Sequence, residues 1–302
     1  MNESSATKSG LLYGLVAYLW WGFMPWYFSV LGHFPPSELL AHRIVWSVLW
    51  VGLLITTQRG WGRVGAAFAD RRTLGLLSLS TLLIALNWIT FLRGVVEHRV
   101  LETSLGYFIT PLFSVLLGIL VYDERLRRLQ WLAVAFAAVG VGVLLVGADR
   151  VPWIALTLML SFGCYGLVRK QIAIDGVTGL FVETLLLVPI CVAYLGYLQT
   201  SGQSSMGKSL FADVMVVMSG AMTAVPLICF AQAVVRLKLS TMGFLQYISP
   251  SMQFVVALAV LGETFTEAHG WSFGLIWVGL ALFIADALRQ NRARNRASAN
   301  AS

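Results

Sequence analysis

The chain has 302 residues, of which 58% are hydrophobic and only 12% charged, with a formal net charge of +7. A soluble globular domain carries about 25% charged residues, so water is not the solvent for most of this surface. In a soluble protein the basic excess would raise nucleic acid as a partner; here it sits in short breaks between apolar stretches and reports membrane topology instead.

Crossing roughly 30 Å of hydrocarbon takes about 20 mainly apolar helical residues. Such stretches follow one another at approximately residues 10 to 31, 37 to 57, 74 to 93, 102 to 121, 129 to 147, 152 to 168, 178 to 198, 213 to 234, 241 to 261 and 270 to 288. Runs such as LLGILVY and AVGVGVLLVG lack the in-out alternation of barrel strands, and lipid leaves a spanning backbone to satisfy its own hydrogen bonds, so the spans are helices. The expected fold is an all-α integral membrane protein of ten transmembrane helices. Leu11 to Leu31 exceeds a signal-peptide core of about 7 to 15 residues and reads as a retained first span.

An even number of spans puts both termini on one side. That side carries 16 basic residues, among them Lys8, Arg59, Arg63, Arg125, Arg127, Arg169, Lys170, Arg236 and Arg289, whereas Arg93, Arg99, Arg150 and Lys208 make 4 on the other. The positive-inside rule therefore predicts a multi-pass inner-membrane protein with cytoplasmic termini. The tail from 289 to 302 reads as a disordered basic segment against anionic headgroups. Cys164, Cys191 and Cys229 are scattered without C-x-x-C or Cys/His spacing, which argues against structural disulfides and zinc.

Thr110 to Glu124 reads TPLFSVLLGILVYDE and Ser249 to Glu263 reads SPSMQFVVALAVLGE, with the same proline-to-glutamate spacing. The same register carries Ile109 onto Ile248 and Val139-Gly140 onto Val278-Gly279; Gly22 and Gly163 match at a slightly different offset. The chain thus reads as a five-helix repeat at 1–150, a second at 151–288 and the tail. Five is odd, so the second copy enters the membrane from the opposite side, and inverted repeats of this kind are a hallmark of secondary carriers.

The two halves resemble the EamA units of the drug/metabolite transporter superfamily. Three strings resemble its RarD branch: ELLAHRIVWS at Glu38 to Ser47, SLGYFITP at Ser104 to Pro111 and FLQYISP at Phe244 to Pro250. The resemblance reaches to about residue 288 and implies a ten-helix inner-membrane transporter of poorly defined substrate. Two departures are Thr110, where the branch usually has Asn, and FLRG at Phe91 to Gly94, where it usually has an aromatic-aliphatic-small run.

An ionisable group within a span costs from about 2.5 kcal/mol upward, which makes each one a functional candidate. In span two, Glu38, His42 and Trp46 form one stripe, and Arg43 and Ser47 a second about 100° round the helix. Arg43 is the leading candidate, either for a substrate carboxylate or as a tether to carbonyls or Glu38. His42 is a candidate substrate and proton-coupling group. Glu183, its approximate repeat-mate, is either a proton site or a partner for Arg169 or Lys170 at the membrane surface. The neutral candidates for substrate are Asn87, Trp88, Tyr107, Tyr165, Gln246 and Tyr247, and the hinge candidates are Pro111 and Pro250. Small residues at Ala133 to Gly142 and Gly270-x-x-x-Gly274 read as close helix contacts, within a monomer or across a homodimer.

No nucleotide-binding loop, H-E-x-x-H or G-x-S-x-G motif occurs, so no catalytic, metal or cofactor role is expected and ATP-driven transport is excluded. The expected function is a secondary active transporter, preferably an exporter, of small organic metabolites or amphipathic drugs. Its expected partners are membrane lipid, a small-molecule substrate and protons as coupling ion. A channel-like facilitator and a membrane-embedded enzyme using Glu38, His42 and Arg43 are the rival readings.

Overall fold

The computed structural model describes residues 3–96, 100–145, 152–259 and 267–299. Every regular element among them is an α-helix: α1 (Glu3–Ser29), α2 (Pro36–Thr57), α3 (Trp61–Ala69), α4 (Arg71–Val96), α5 (Val100–Tyr122), α6 (Arg128–Leu145), α7 (Trp153–Gln171), α8 (Gly176–Thr200), α9 (Leu210–Val234), α10 (Leu239–Gln246), α11 (Ile248–Ala259) and α12 (Glu267–Ala299). Among the described residues, five stretches are long and apolar enough to cross a membrane: Pro36–Thr57, Arg71–Gly94, Gly176–Thr200, Leu210–Val234 and Gly270–Gln290. Shorter apolar helices run over Gly106–Tyr122 and Arg128–Val143. Glu263, Arg99 and Arg150 lie outside the described residues.

Two features differ from the sequence expectation, and one helix adds to it. The linker after the second span contains α3, whose Val64 and Ala67 are buried and whose Trp61 meets Phe181 edge-on at 5.4 Å. Its apolar residues recur every three to four positions, enough for one buried face on a short helix. The backbone also stays helical through residues 289–299, where a disordered tail was expected; that stretch contains no Gly or Pro and is rich in Arg and Ala, which are good helix formers. Finally, the expected span at 241 to 261 is broken at Tyr247 into α10 and α11. Pro250 lies in the first turn of α11, where its missing N–H costs no helix bond. Pro111, by contrast, lies inside the unbroken α5.

The ends of the helices explain several polar residues. Asp175 caps α8 by accepting from the Thr178 amide at 3.0 Å and its hydroxyl at 2.7 Å. Lys238, which precedes α10, has no side-chain oxygen to cap it. The buried carboxylate of Glu124, at the end of α5, takes that role: it accepts from the amides of Leu239 at 2.7 Å and Ser240 at 3.1 Å and from the Ser240 hydroxyl. A carboxylate there satisfies free N–H groups and complements the positive end of the helix dipole.

Basic residues cluster at this same end. The Lys170 ammonium donates to the carbonyls of Val234 at 3.0 Å and of Leu237, Arg236 sits over Tyr13 at 5.5 Å, Arg127 pairs with Asp286 and Arg63 with Asp175 at 3.1 Å.

Helix neighbours recur in matching pairs. α6 packs on α12, α2 on α8 and α5 on α10; α1 packs on α9 and α11 as α7 packs on α4 and α5; α2 meets α9 as α8 meets α4. The α6–α12 seam shows the match atom by atom. A Cβ on Gly140 would lie 2.8 Å from the Ser272 carbonyl and 3.0 Å from Ile276, and one on Gly279 would lie 2.7 Å from the Ala133 carbonyl and 3.4 Å from the Ala137 amide. In the register that aligns Pro111 with Pro250, Ala133, Ala137 and Gly140 correspond to Ser272, Ile276 and Gly279. Gly22 likewise abuts Met252, and Gly163 abuts Phe113, its counterpart contact. Gly274 has open space where a Cβ would stand, so it does not serve the close helix contact read into it.

Candidate functional site

Pro36 at the start of α2 has its ring where a free N–H would otherwise be, and the helix then runs unbroken to Thr57. Arg43 lies seven residues in, about 10 Å along the axis. Its Nε donates to the Thr223 hydroxyl on α9 at 3.0 Å, and its guanidinium stands 4.6 Å over the Phe28 ring and 6.0 Å from the Trp88 ring. The hydroxyls of Tyr27 and Tyr107 lie within its electrostatic reach. Among the described residues it has no ion pair and no further hydrogen bond.

The scaffold around this arginine is tightly tied. Ser47 donates to the Arg43 carbonyl at 2.6 Å and across to the Gly220 carbonyl at 2.9 Å; Trp50 donates to the Val217 carbonyl at 3.0 Å. Gly220 permits this approach, since a Cβ there would lie 2.6 Å from the Ser47 amide. Trp20 and Tyr27 of α1 add hydrogen bonds to the Met222 and Met215 carbonyls of α9. The contact that Arg43 makes to a neighbouring helix thus runs to the Thr223 hydroxyl, and not to carbonyls or to Glu38, the partners expected from the sequence.

Glu38 is fully buried, and its Oε1 accepts from the Ser205 amide at 2.7 Å and the Ser204 hydroxyl at 3.1 Å, fastening the α8–α9 loop. His42 stands 3.9 Å from it, beyond direct hydrogen bonding, and neither His42 Nε2 nor Glu38 Oε2 has a hydrogen-bond partner among the described residues. His42 faces a cavity of about 460 Å³ bordered by Val192, Leu195, Gln199, Ser204 and Met206. It therefore points away from the Arg43 cluster, as neighbours about 100° apart on a helix must.

On α8, Glu183 is buried and accepts from Ser80 of α4, from the Tyr165 hydroxyl at 3.4 Å and from Arg169 at 3.4 Å. Arg169 is equally buried, against Gly179, whose missing Cβ makes room for the guanidinium. Of the two partners weighed for Glu183, Arg169 is the one present; Lys170 turns to backbone carbonyls instead. Trp88 links the two clusters, because it also borders a small gap shared with Ile84, Tyr165 and Glu183.

The other candidates fall elsewhere. Asn87 ties α4 to α7 through the Leu158 carbonyl at 3.1 Å and the Ser161 hydroxyl at 3.0 Å. Gln246 is buried at the end of α10, and the Tyr247 hydroxyl donates to the Phe108 carbonyl at 3.3 Å beside the break before α11. Arg43, Trp88 and Tyr107 thus come together, Tyr165 and Glu183 form an adjoining group, and His42 stands apart. Phe28, Thr223 and Ser80 were not singled out in the sequence, where isolated hydroxyl and aromatic residues in apolar spans are too common to signal a site. Among the described residues no group of three or more His, Cys, Asp or Glu could hold a metal ion.

A model of the EamA-like transporter family matches residues 8–146. An uncharacterized transporter of Vibrio cholerae is 44% identical over 98% of both chains. Protein RarD of Salmonella typhi is 42% identical over 96% of this chain and 99% of its own. A solved crystal structure shares the fold with a TM-score of 0.68, covering 91% of this chain and 97% of its own at 18% identity. With its apolar helices and near full-length relatives, this membrane protein belongs to the EamA-like transporter family, alongside the RarD proteins.

Proposed function

We propose that the protein is a secondary active transporter that moves small organic metabolites or amphipathic drugs across the bacterial inner membrane, in the export direction, with both termini cytoplasmic. Two inverted five-helix repeats, 1–150 and 151–288, rock against each other around the interior at Arg43. The observation that carries this reading is the matched packing of the two halves, in which Gly140 and Gly279 make corresponding contacts across one seam. A pseudo-two-fold relation lets inward-open and outward-open arrangements lie at similar energy, as alternating access requires.

In this reading Arg43, Trp88 and Tyr107 meet the substrate, with Tyr165, Gln246 and Tyr247 in support, and the α10–α11 break with Pro250 serves as a hinge opposite Pro111 in α5. His42 and Glu183 are the candidate proton-coupling groups. A discontinuous helix beside the substrate is a recurrent feature of carriers.

Counterflow of labelled substrate in proteoliposomes tests the proposal: saturable uptake driven by unlabelled substrate on the far side is the expected result. Non-saturating flux without counterflow identifies a channel-like facilitator, and conversion of the substrate, read by mass spectrometry, identifies an enzyme. Arg43→Gln is expected to abolish counterflow while the protein still inserts and folds; wild-type counterflow in that variant removes Arg43 from substrate binding and gating. An unchanged pH profile in His42→Gln removes His42 as a coupling group.

A further inference from the structure

We propose that the Arg43 site takes organic monoanions, specifically aromatic carboxylates without a free ammonium group. The inference deepens the transporter reading and rests on it for its place in transport, although binding can be tested by itself.

A guanidinium remains charged under all ordinary conditions, and inside a membrane an uncompensated charge is costly. Arg43 spends only its Nε, and spends it on the neutral Thr223 hydroxyl. The nearby buried carboxylates are engaged elsewhere. Glu38 lies five residues earlier, about 140° round the helix, and holds the amide of Ser205. Glu183 is held by Arg169, Ser80 and Tyr165. The terminal nitrogens of Arg43 therefore form a planar fork without an anion among the described residues, the geometry that pairs with a carboxylate through two parallel hydrogen bonds.

The surroundings specify the rest of the ligand. The Phe28 and Trp88 rings lie at 4.6 and 6.0 Å from the guanidinium, and Tyr27 and Tyr107 lie within its electrostatic reach, so aromatic rings rather than charges lie around the fork. Rings in turn favour an aromatic or flat apolar body. A zwitterionic amino acid would bring an ammonium group for which this site offers no carboxylate, only ring faces on which Arg43 already rests. Neutral amides of the same shape would leave the guanidinium without its counter-charge.

The test uses the purified full-length chain in detergent and three probes of one shape: phenylacetate, phenylacetamide and phenylalanine. Titrations follow tryptophan fluorescence and the shift in thermal unfolding. Phenylacetate is expected to bind at least tenfold more tightly than the other two. The preference should vanish in Arg43→Gln and persist, weakened, in Arg43→Lys. Equal binding of phenylacetamide, no binding of phenylacetate by the wild-type chain, or a folded Arg43→Gln that keeps the preference overturns the proposal. The wild-type comparison stands even if Arg43→Gln does not fold. Counterflow of a neutral substrate without carboxylate binding overturns the substrate class and leaves the transporter reading intact. Arg43-dependent carboxylate binding without counterflow supports the class and sinks transport.

Discussion

Alanine at Gly140 or Gly279 tests directly whether the two contacts across the α6–α12 seam are equivalent. The added Cβ would lie 2.8 Å from the Ser272 carbonyl in the first case and 2.7 Å from the Ala133 carbonyl in the second, against 3.4–4 Å for ordinary contact. Both obstacles are helix backbone, so α6 and α12 must separate by several tenths of an ångström. Overpacking of this kind costs about 1–3 kcal/mol, partly offset by the roughly 1 kcal/mol by which Ala exceeds Gly in helix propensity. Gly142 on α6 and Gly274 on α12 have no atom within 4 Å of an added Cβ and receive only the favourable part. Each seam variant should therefore be about 1–3 kcal/mol less stable than the control on the same helix. The two seam losses should be similar. The double variant should lose less than their sum, since one separation of the helices accommodates both methyls. Denaturant unfolding of the purified protein in detergent reads all five variants. Seam variants as stable as their controls, or a loss confined to one of the two, would refute the equivalence of the halves.

Three further outcomes follow from buried polar contacts and one half-buried helix cap. Glu124→Ala leaves the amides of Leu239 and Ser240 without their acceptor, which should cost about 2–6 kcal/mol in unfolding experiments, at about 1–3 kcal/mol per unsatisfied buried group. Glu124→Gln should recover part of this, and a Gln variant no better than Ala counts against the capping role. Glu183→Leu strands the buried guanidinium of Arg169 and should destabilise by about 3–5 kcal/mol, whereas the double change with Arg169→Met should be milder. A fully stable Glu183→Leu would show that the pair contributes nothing to the fold. Burial alone would raise the Asp175 carboxyl, but hydrogen bonds from Thr178 and the charge of Arg63 outweigh it and hold the group below the usual carboxylate range. A depressed folded-state pKa stabilises above the unfolded value of about 4 and is lost as pH falls through the folded value. The stability gap between wild type and Asp175→Asn should accordingly be present at neutral pH and close below about pH 4; a gap that widens on acidification contradicts the sign.

By itself the sequence determined the solvent, the helical class and, through its resemblance to known strings, the family. Each rests on local chemistry: lipid forces backbone hydrogen bonds within a segment, about 20 apolar residues set a span, and the Pro111-to-Glu124 spacing recurs at Pro250. Arg169 could be named as a partner for Glu183 because both sit near the same end of adjacent helices. Helical periodicity also separated His42 from Arg43 by about 100°.

What stands opposite each face was decided only by tertiary packing. Thr223 meets Arg43 from 180 residues away, and nothing in its apolar surroundings marks it in the sequence. His42 turned out to face a cavity under the α8–α9 loop, and Glu38 to fasten that loop, because the approach of α8 and α9 determines what fills the space beside α2. At the break itself the contact is again a distant one, since the Tyr247 hydroxyl meets the Phe108 carbonyl of α5 from 139 residues away. Periodicity dictates the direction in which a side chain leaves its helix; only the packing of distant helices dictates whether it finds a hydroxyl, a carboxylate or an open space.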